Sequence, residues 1–308
     1  MLKTITPFDS FEWTQVHDMT PADRKRLNEE FHVPNEMIDY AIDPYESARM
    51  EYDADNQLSL MIFDIVAPTS QIATTEPFGI MFNNDQSHLL TFTRQENQYG
   101  TEYIKQIVEE LRSHDAAKPD PVNLIVESIV VLAAKYLSAV LEINRRRTPI
   151  QRDIRRVRKV QSKIDELMDL QTDLIYILNS LETDIDLLNN FKQNKAMPLT
   201  QLQQERVDDA LVELSQALDM GNLSQKVTAS VSESYANLSN NDLNWTMKVL
   251  TVSSIVLTMP NIVYGYFGQN VPLPWGHSSL GWLLTFAVSV WLMGLVLWVL
   301  WRVGFLRK

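Results

Sequence analysis

Residues 244–270 read "NWTMKVLTVSSIVLTMPNIVYGYFGQN". The apolar run within them, Met247–Tyr266, has about the 20 residues needed to cross a bilayer core. A second run, "LGWLLTFAVSVWLMGLVLWVLW" at residues 280–301, is slightly longer and apolar on all faces, which makes a helix buried in a soluble core a poor competitor. Between Val249 and Trp301 there is no Asp, Glu, Lys or Arg. The pair therefore reads as two C-terminal membrane spans. The loop between them, residues 268–279, has no Lys or Arg, whereas Lys248 stands at one edge of the pair and Arg302, Arg307 and Lys308 at the other. The positive-inside rule then predicts cytoplasmic termini and an outer "GQN" loop, with Trp245, Trp298 and Trp301 in the inner aromatic belt and Trp275 and Trp282 near the outer one.

The two spans differ in kind. In the first, Met247, Thr251, Ser254, Thr258, Asn261, Gly265 and Gly268 follow one another at alternating spacings of four and three, a heptad seam that extends back to Asn244 and Asn240. Small and hydroxyl residues serve ordinary helix packing in membranes. A whole seam of them, facing inward at membrane depth, instead lines a water-filled path. Two helices cannot enclose such a path, so several copies must surround an axis, with the uniformly apolar second span outermost.

The mean hydropathy of −0.15 conceals how unevenly the charge is spread. Residues 1–242 hold all 39 acidic residues and 23 of the 27 basic ones, a net −16. That balance argues against nucleic acid and fits a domain living among cations. Cysteine is absent, which excludes disulfides and thiolate metal sites. The N-terminus lacks the apolar stretch of a signal peptide, so the acidic part is expected in the cytoplasm.

That part reads as an α/β domain over 1–120. "FEWTQVH" (11–17), 47–53, 57–66, 78–84 and 88–94 are predicted strands, and 20–32, opening on Thr20 and Pro21, a predicted helix. Helices are predicted at 101–113 and 122–146. A helical region (121–197) runs on from Pro149 with eight basic residues in 145–159 and an acidic stretch after them. A stalk helix (198–246) carries a seam of Leu202, Val207, Leu211, Leu214 and Leu218 and runs without a strong breaker into the first span (247–267). The outer loop (268–279), second span (280–301) and basic tail (302–308) complete the chain. Stalk and span together make one helix of some 65 residues, about 100 Å long.

"NWTMKVLT" (244–251) and "YGYFGQN" (264–270) resemble the pore-helix start and the Gly-Met-Asn signature of the CorA family of magnesium channels, and "IDPYESARMEYDADNQLSLMIFD" (42–64) resembles a weaker family pattern. The resemblance implies a homopentamer with an acidic cytoplasmic α/β domain, a stalk helix and two spans in the plasma membrane. It departs from the family at Gln269, in place of the signature Met, at Phe267, and at Thr258, where the family is commonly apolar. It implies a selectivity mouth at Gly268, Gln269 and Asn270. The pore lining comprises Asn244, Met247, Leu250, Thr251, Ser254, Thr258, Asn261 and Gly265, with Met247 and Leu250 as an apolar constriction. Asp209 lies as far from the signature as a family carboxylate that binds regulatory Mg2+ between subunits, with Asp208 and Glu205 beside it and Asp85 among the candidate partners.

The expected function is Mg2+ transport gated by the cytoplasmic domain, with Mg2+ as transported and regulatory ion, lipid and further copies of the chain as partners, and no catalytic cofactor. A Zn2+, Co2+ or Ni2+ transporter, with or without proton coupling, is the alternative; a non-conducting coiled-coil scaffold is the alternative from another class. The five histidines show no zinc-ligand spacing, although His277 lies in the outer loop. No nucleophile–base arrangement or phosphate loop is present, so enzyme activity is not expected.

Overall fold

The computed structural model describes residues 2–8, 10–67, 75–83, 85–113, 120–153, 160–195, 197–269 and 280–305. It divides into two compact units, 1–232 and 233–308.

The first unit is built on a six-stranded sheet in the order β1-β2-β6-β5-β4-β3. The strands are β1 Leu2–Phe8, β2 Phe11–His17, β3 Arg49–Asp53, β4 Leu58–Val66, β5 Thr75–Asn83 and β6 His88–Thr93. All neighbours pair antiparallel except β2 and β6, which run parallel. Every residue of β4 is buried, which explains its unbroken apolar run: the strand is covered on both faces. Leu58, Leu60 and Ile62 join Leu27, Met37, Ile38 and Ala41 of α1 (Pro21–Glu30) and α2 (Asn35–Ile42) in one core. On the alternate positions, Ile65 lies with Phe78 against Gly100 of α3 (Tyr99–Ser113). The sheet is thus sandwiched between helical layers.

Thr20 caps α1 as its sequence requires: its hydroxyl accepts from the Asp23 amide while the Asp23 carboxylate takes the Thr20 amide. The Thr20 hydroxyl also donates to the Asp23 carboxylate at 2.7 Å, and chiefly that bond holds the Asp23 carboxyl down to about 2. Gly79 of β5 sits under the α2 backbone. A Cβ there would lie 2.8 Å from the Ala41 carbonyl oxygen. Gly79→Ala is therefore expected to push α2 off the sheet and to cost about 1–3 kcal/mol, read as a lower unfolding temperature of the detergent-solubilised chain.

Helix α4 (Pro121–Arg152) and α5 (Val160–Lys192) pack on the same sheet, so the fold continues its core well past residue 120. Helix α4 runs through Pro149, where the sequence suggests a helix start. Proline removes only one amide donor there, one turn from the helix end, and the Asp153 amide still closes on the Pro149 carbonyl. Residues 154–159 of the basic arm lie outside the described residues. Strand β1 and helix α2 add to the elements that the sequence predicts.

The segments expected as stalk and first span form a single helix, α6, Gln201–Phe267, of 67 residues. Its packed face in the first unit keeps Val207 and Leu214 of the expected seam but is otherwise built from smaller residues. Val207, Ala210, Leu214, Ala217, Gly221, Ser224, Thr228 and Val231 are buried, whereas Leu202 and Leu223 are 66% and 62% exposed. Gly221 makes room for a leucine of α5: a Cβ there would meet Leu178 Cδ2 at 2.7 Å. Gln203 bonds Asn123 (2.7 Å), Arg206 pairs with Glu127 (3.0 Å) and Ser224 bonds Asn144 (2.9 Å), so α6 runs parallel to α4 in a constant register. The second unit also contains α7, Gly281–Arg302.

Candidate pore face and its relatives

Among the described residues three helices are long and apolar enough to cross a membrane: α4, α6 and α7. They differ in what their apolar surface already touches. Half of the apolar window of α4 is buried inside the protein, against 11% for α6 and 6% for α7. Burial of α4 is anchored chemically as well, since Tyr136 donates to the Asp64 carbonyl and to Asp184 in the core.

In the second unit, α6 presents two unlike faces. Val252 and Val263 are buried, 7% and 5% exposed, and with Val256 and Met259 mark the packed side. Asn244, Met247, Leu250, Thr251, Ser254, Thr258, Asn261, Gly265 and Gly268 are all exposed. Ser254 lies two residues beyond Val252 and Asn261 two before Val263, about 200° around the helix at 3.6 residues per turn. The polar seam therefore occupies the face turned away from the chain's own packing.

The hydroxyls on this face are ordered by the helix. Thr251 donates to the Met247 carbonyl (2.8 Å), Ser254 to Leu250 (2.9 Å) and Thr258 to Ser254 (2.8 Å). Pro260 lies inside the helix and supplies no amide to the Val256 carbonyl. The helix closes at its end through the Gly268 amide on the Tyr264 carbonyl at 2.8 Å, and a Cβ on Gly268 would sit 2.9 Å from that same oxygen. A glycine is what permits this tight final turn. Gly265 has no atom within 4 Å of its Cβ position, so its lack of a side chain answers to nothing within the chain. Gln269 is exposed; Asn270 and the loop 271–279, including His277, lie outside the described residues. At the opposite end Lys248 stands over the Phe305 ring at 5.9 Å, and Arg302 over Trp298 at 5.2 Å, cation–aromatic contacts suited to an interface.

The stalk carboxylates are each engaged within the chain. Asp208 pairs with Lys192 (2.6 Å), Asp209 lies 3.7 Å from Arg206, and Glu205 accepts from Gln201 (3.1 Å). Asp85 accepts from the Ser87 amide and hydroxyl, which hold its carboxyl below the usual range. Among the described residues no three His, Asp or Glu side chains gather into a metal cluster.

What sequence reading missed lies in the core of the first unit. Asp184 of α5 is fully buried, and its carboxylate accepts from the Asp64 amide (2.9 Å) and the Tyr136 hydroxyl (2.8 Å). Burial, then repulsion from Asp64, pushes the Asp184 carboxyl well above the ordinary carboxylate range; burial likewise raises Asp64.

The chain resembles known proteins over nearly its whole length. Over 145 residues it is 26% identical to the cobalt/magnesium transport protein CorA of Methanocaldococcus jannaschii, a match covering 46% of this chain and 45% of that protein, so it spans about half the length of the curated relative. The complete structure of the CorA magnesium transporter from the same organism superposes with a TM-score of 0.80 at 19% identity, covering 96% of this chain and 92% of the other. The full-length CmaX protein matches at 0.66 (13% identity, 94% and 89% covered). The ZntB cytoplasmic domain from Vibrio parahaemolyticus matches at 0.57 (14% identity, 77% and 90% covered). These structural likenesses bear on fold. The family profile described as "CorA-like Mg2+ transporter protein" matches residues 8–302, and on that match the chain belongs to the CorA-like Mg2+ transporter family.

Proposed function

We propose that the chain is a subunit of a homopentameric divalent-cation channel in the plasma membrane, with Mg2+ as its principal ion. The observation that carries the reading is the exposed oxygen-bearing face of α6, opposite its packed face, in a member of this family. Helices α6 and α7 are the two spans, since the apolar surface of α4 is already committed to the soluble core. Both termini are cytoplasmic, with Lys248 and Arg302 at the inner interface.

The chemistry of the face favours Mg2+. A hard cation of this type takes oxygen ligands and dehydrates reluctantly. Neutral side-chain and backbone oxygens bind its water shell without trapping it, which conduction requires. Gly268, Gln269 and Asn270 form the outer mouth, and Asn261, Thr258, Ser254 and Thr251 pass the hydrated ion inward. Met247 and Leu250 make the constriction and Asn244 the inner ring. No thiolate exists to favour a softer ion. Asp209, Asp208 and Glu205 are the proposed regulatory carboxylates at the contact between copies. There a divalent cation must compete with Lys192 and Arg206, which couples its concentration to the state of the stalk.

Flux into proteoliposomes tests the reading. Wild-type protein is expected to carry Mg2+ in preference to Zn2+, and Asn270→Ala to lose Mg2+ flux by about tenfold or more, the value of roughly one net hydrogen bond to the shell. Absence of flux for either metal through folded, pentameric protein overturns channel function. A Zn2+ preference transfers the assignment to the other metal.

A further inference from the structure

We infer that Asp64 and Asp184 form a proton-binding joint between the sheet and the α4–α5 helices, and that release of its proton as pH rises loosens the hold of those helices on α6. The joint stands on the geometry of the first unit; its effect on transport rests on the channel reading above.

Asp184 is 0% exposed and Asp64 7%, and among the described residues no cation pairs with either. The other buried carboxylate, Asp173, has Arg146 at 3.6 Å, so the pair stands apart among the described residues. Three elements meet there. Asp184 of α5 takes the Asp64 amide of β4 at 2.9 Å and the Tyr136 hydroxyl of α4 at 2.8 Å. Ser180, one turn earlier on α5, lies against the Asp64 carboxyl and shares a hydrogen bond of 2.7 Å with Thr75 of β5. The titratable neighbours bring no compensating charge. Asp64 and Tyr136 face Asp184; Glu76 of β5 faces Asp64, with Tyr99 of α3 beyond it. The nearest cation, Arg94, is held by Glu76 at 3.0 Å. Strand β3, also packed on α5, adds no charge to either carboxyl among the described residues.

Carboxylates that repel one another away from water do not both ionise readily, so the pair keeps a proton. Burial first, then a neighbouring carboxylate, holds that proton above the ordinary range, and it leaves as pH rises. The core then contains a second negative charge with no further donor. Parting α5 from β4, which admits water, becomes the cheaper arrangement.

Both helices of the joint grip α6. Helix α4 does so through Asn123 on Gln203, Glu127 on Arg206 and Asn144 on Ser224. Helix α5 does so through Leu178, in the space beside Gly221, and through Lys192 on Asp208 at 2.6 Å. Asp184 lies between Leu178 and Lys192 on that helix. Loosening α5 weakens the grip of Lys192, and a divalent cation then meets less competition at Asp208. Alkaline pH therefore favours the cation-bound, closed state.

The full-length protein tests both steps. In infrared pH-difference spectra, wild type is expected to lose a protonated-carboxyl C=O band between about pH 6 and 9, and Asp184→Asn to lack that band. In proteoliposomes, the cytoplasmic-side Mg2+ concentration that halves wild-type flux should fall by about threefold or more over that range. Asp184→Asn, neutral and of the same shape, should show no such fall. Tyr136→Phe withdraws a donor from charged Asp184, so the band loss and the fall should both move to higher pH, and this variant decides where Asp184→Asn does not fold. No band in wild type, or a band that Asp184→Asn retains and Tyr136→Phe does not shift, overturns the proton site. A band without the fall, or an equal fall in wild type and Asp184→Asn, overturns its regulatory role. If wild type carries no divalent cation, the channel reading and the regulatory step fall together, while the infrared result decides the joint alone.

Discussion

Asp184→Ala is expected to destabilise the folded chain by about 2–4 kcal/mol, a large effect for one residue of the first unit. The side chain is fully buried and joins three elements: its own α5, the β4 backbone through the Asp64 amide, and α4 through the Tyr136 hydroxyl. Removing it leaves the buried Asp64 amide aimed at a cavity, while the Tyr136 hydroxyl keeps its bond to the Asp64 carbonyl at 3.0 Å. Tyr136→Phe removes a donor rather than an acceptor and should cost less, about 1–3 kcal/mol. Among the described residues no cation pairs with Asp184 or Asp64. Both carboxyls are raised above their unfolded value of 3.8, so the folded state holds protons that the unfolded chain has released. Stability from this pair is therefore complete below about pH 4 and falls as pH rises through the folded values. Asp23 acts in the opposite sense and in another window: its contribution is lost as pH falls from 3.8 to about 2. Unfolding temperatures of the solubilised chain taken upward from about pH 4 report on the buried pair, and those taken below it report on Asp23. The former should decline with pH in wild type and decline less in Asp184→Asn, where one titrating group is gone. A wild-type profile that rises over that range contradicts the buried pair's assignment.

This network shows where sequence reading ends. Its members are 48 and 120 residues apart, and nothing local marks Asp184 among the many acidic residues of α5. By contrast, β2 was legible to the residue, because alternation over seven positions is a local signal. β1 was not: "LKTITPF" alternates weakly, and its place beside β2 at the sheet edge is set by pairing. The eight-residue α2 is too short to show a period. The stalk illustrates a subtler failure. Its leucines drew the seam, and Val207 and Leu214 are buried as drawn, yet the packed face also takes in Ala210, Ala217, Gly221 and Ser224 and leaves Leu202 and Leu223 outside. The polar seam on α6 is a pattern within one helix and so is visible in the sequence, and the structure places its residues on an exposed face. The hydroxyl directions on it are not visible there, since a threonine's proton can turn either way until backbone geometry decides.

Leu250→Asn is expected to leave the channel open under cytoplasmic Mg2+ that closes the wild type, raising flux in that condition by about tenfold or more through wetting of the constriction. Met247 and Leu250 stand nearly one turn apart on α6, 54% and 60% exposed, so neither is fixed by packing within the chain. In the proposed pentamer they would form the apolar stretch that water leaves when copies approach. On the outer side the seam turns polar at once, with Thr251, Ser254 and Thr258; on the inner side stands Asn244. The apolar segment is thus confined to two residues, and one polar substitution suffices to wet it. A longer apolar stretch would tolerate the change. Leu250→Ile preserves apolarity and should close as wild type does, which separates dewetting from a loss of shape. Because the residue is exposed, unfolding temperature should be unaltered in both variants. Equal closure of Leu250→Asn and wild type at saturating cytoplasmic Mg2+ would place the constriction elsewhere. Wild-type flux that ignores cytoplasmic Mg2+ would remove the regulatory role of Asp209 and leave the pore face standing.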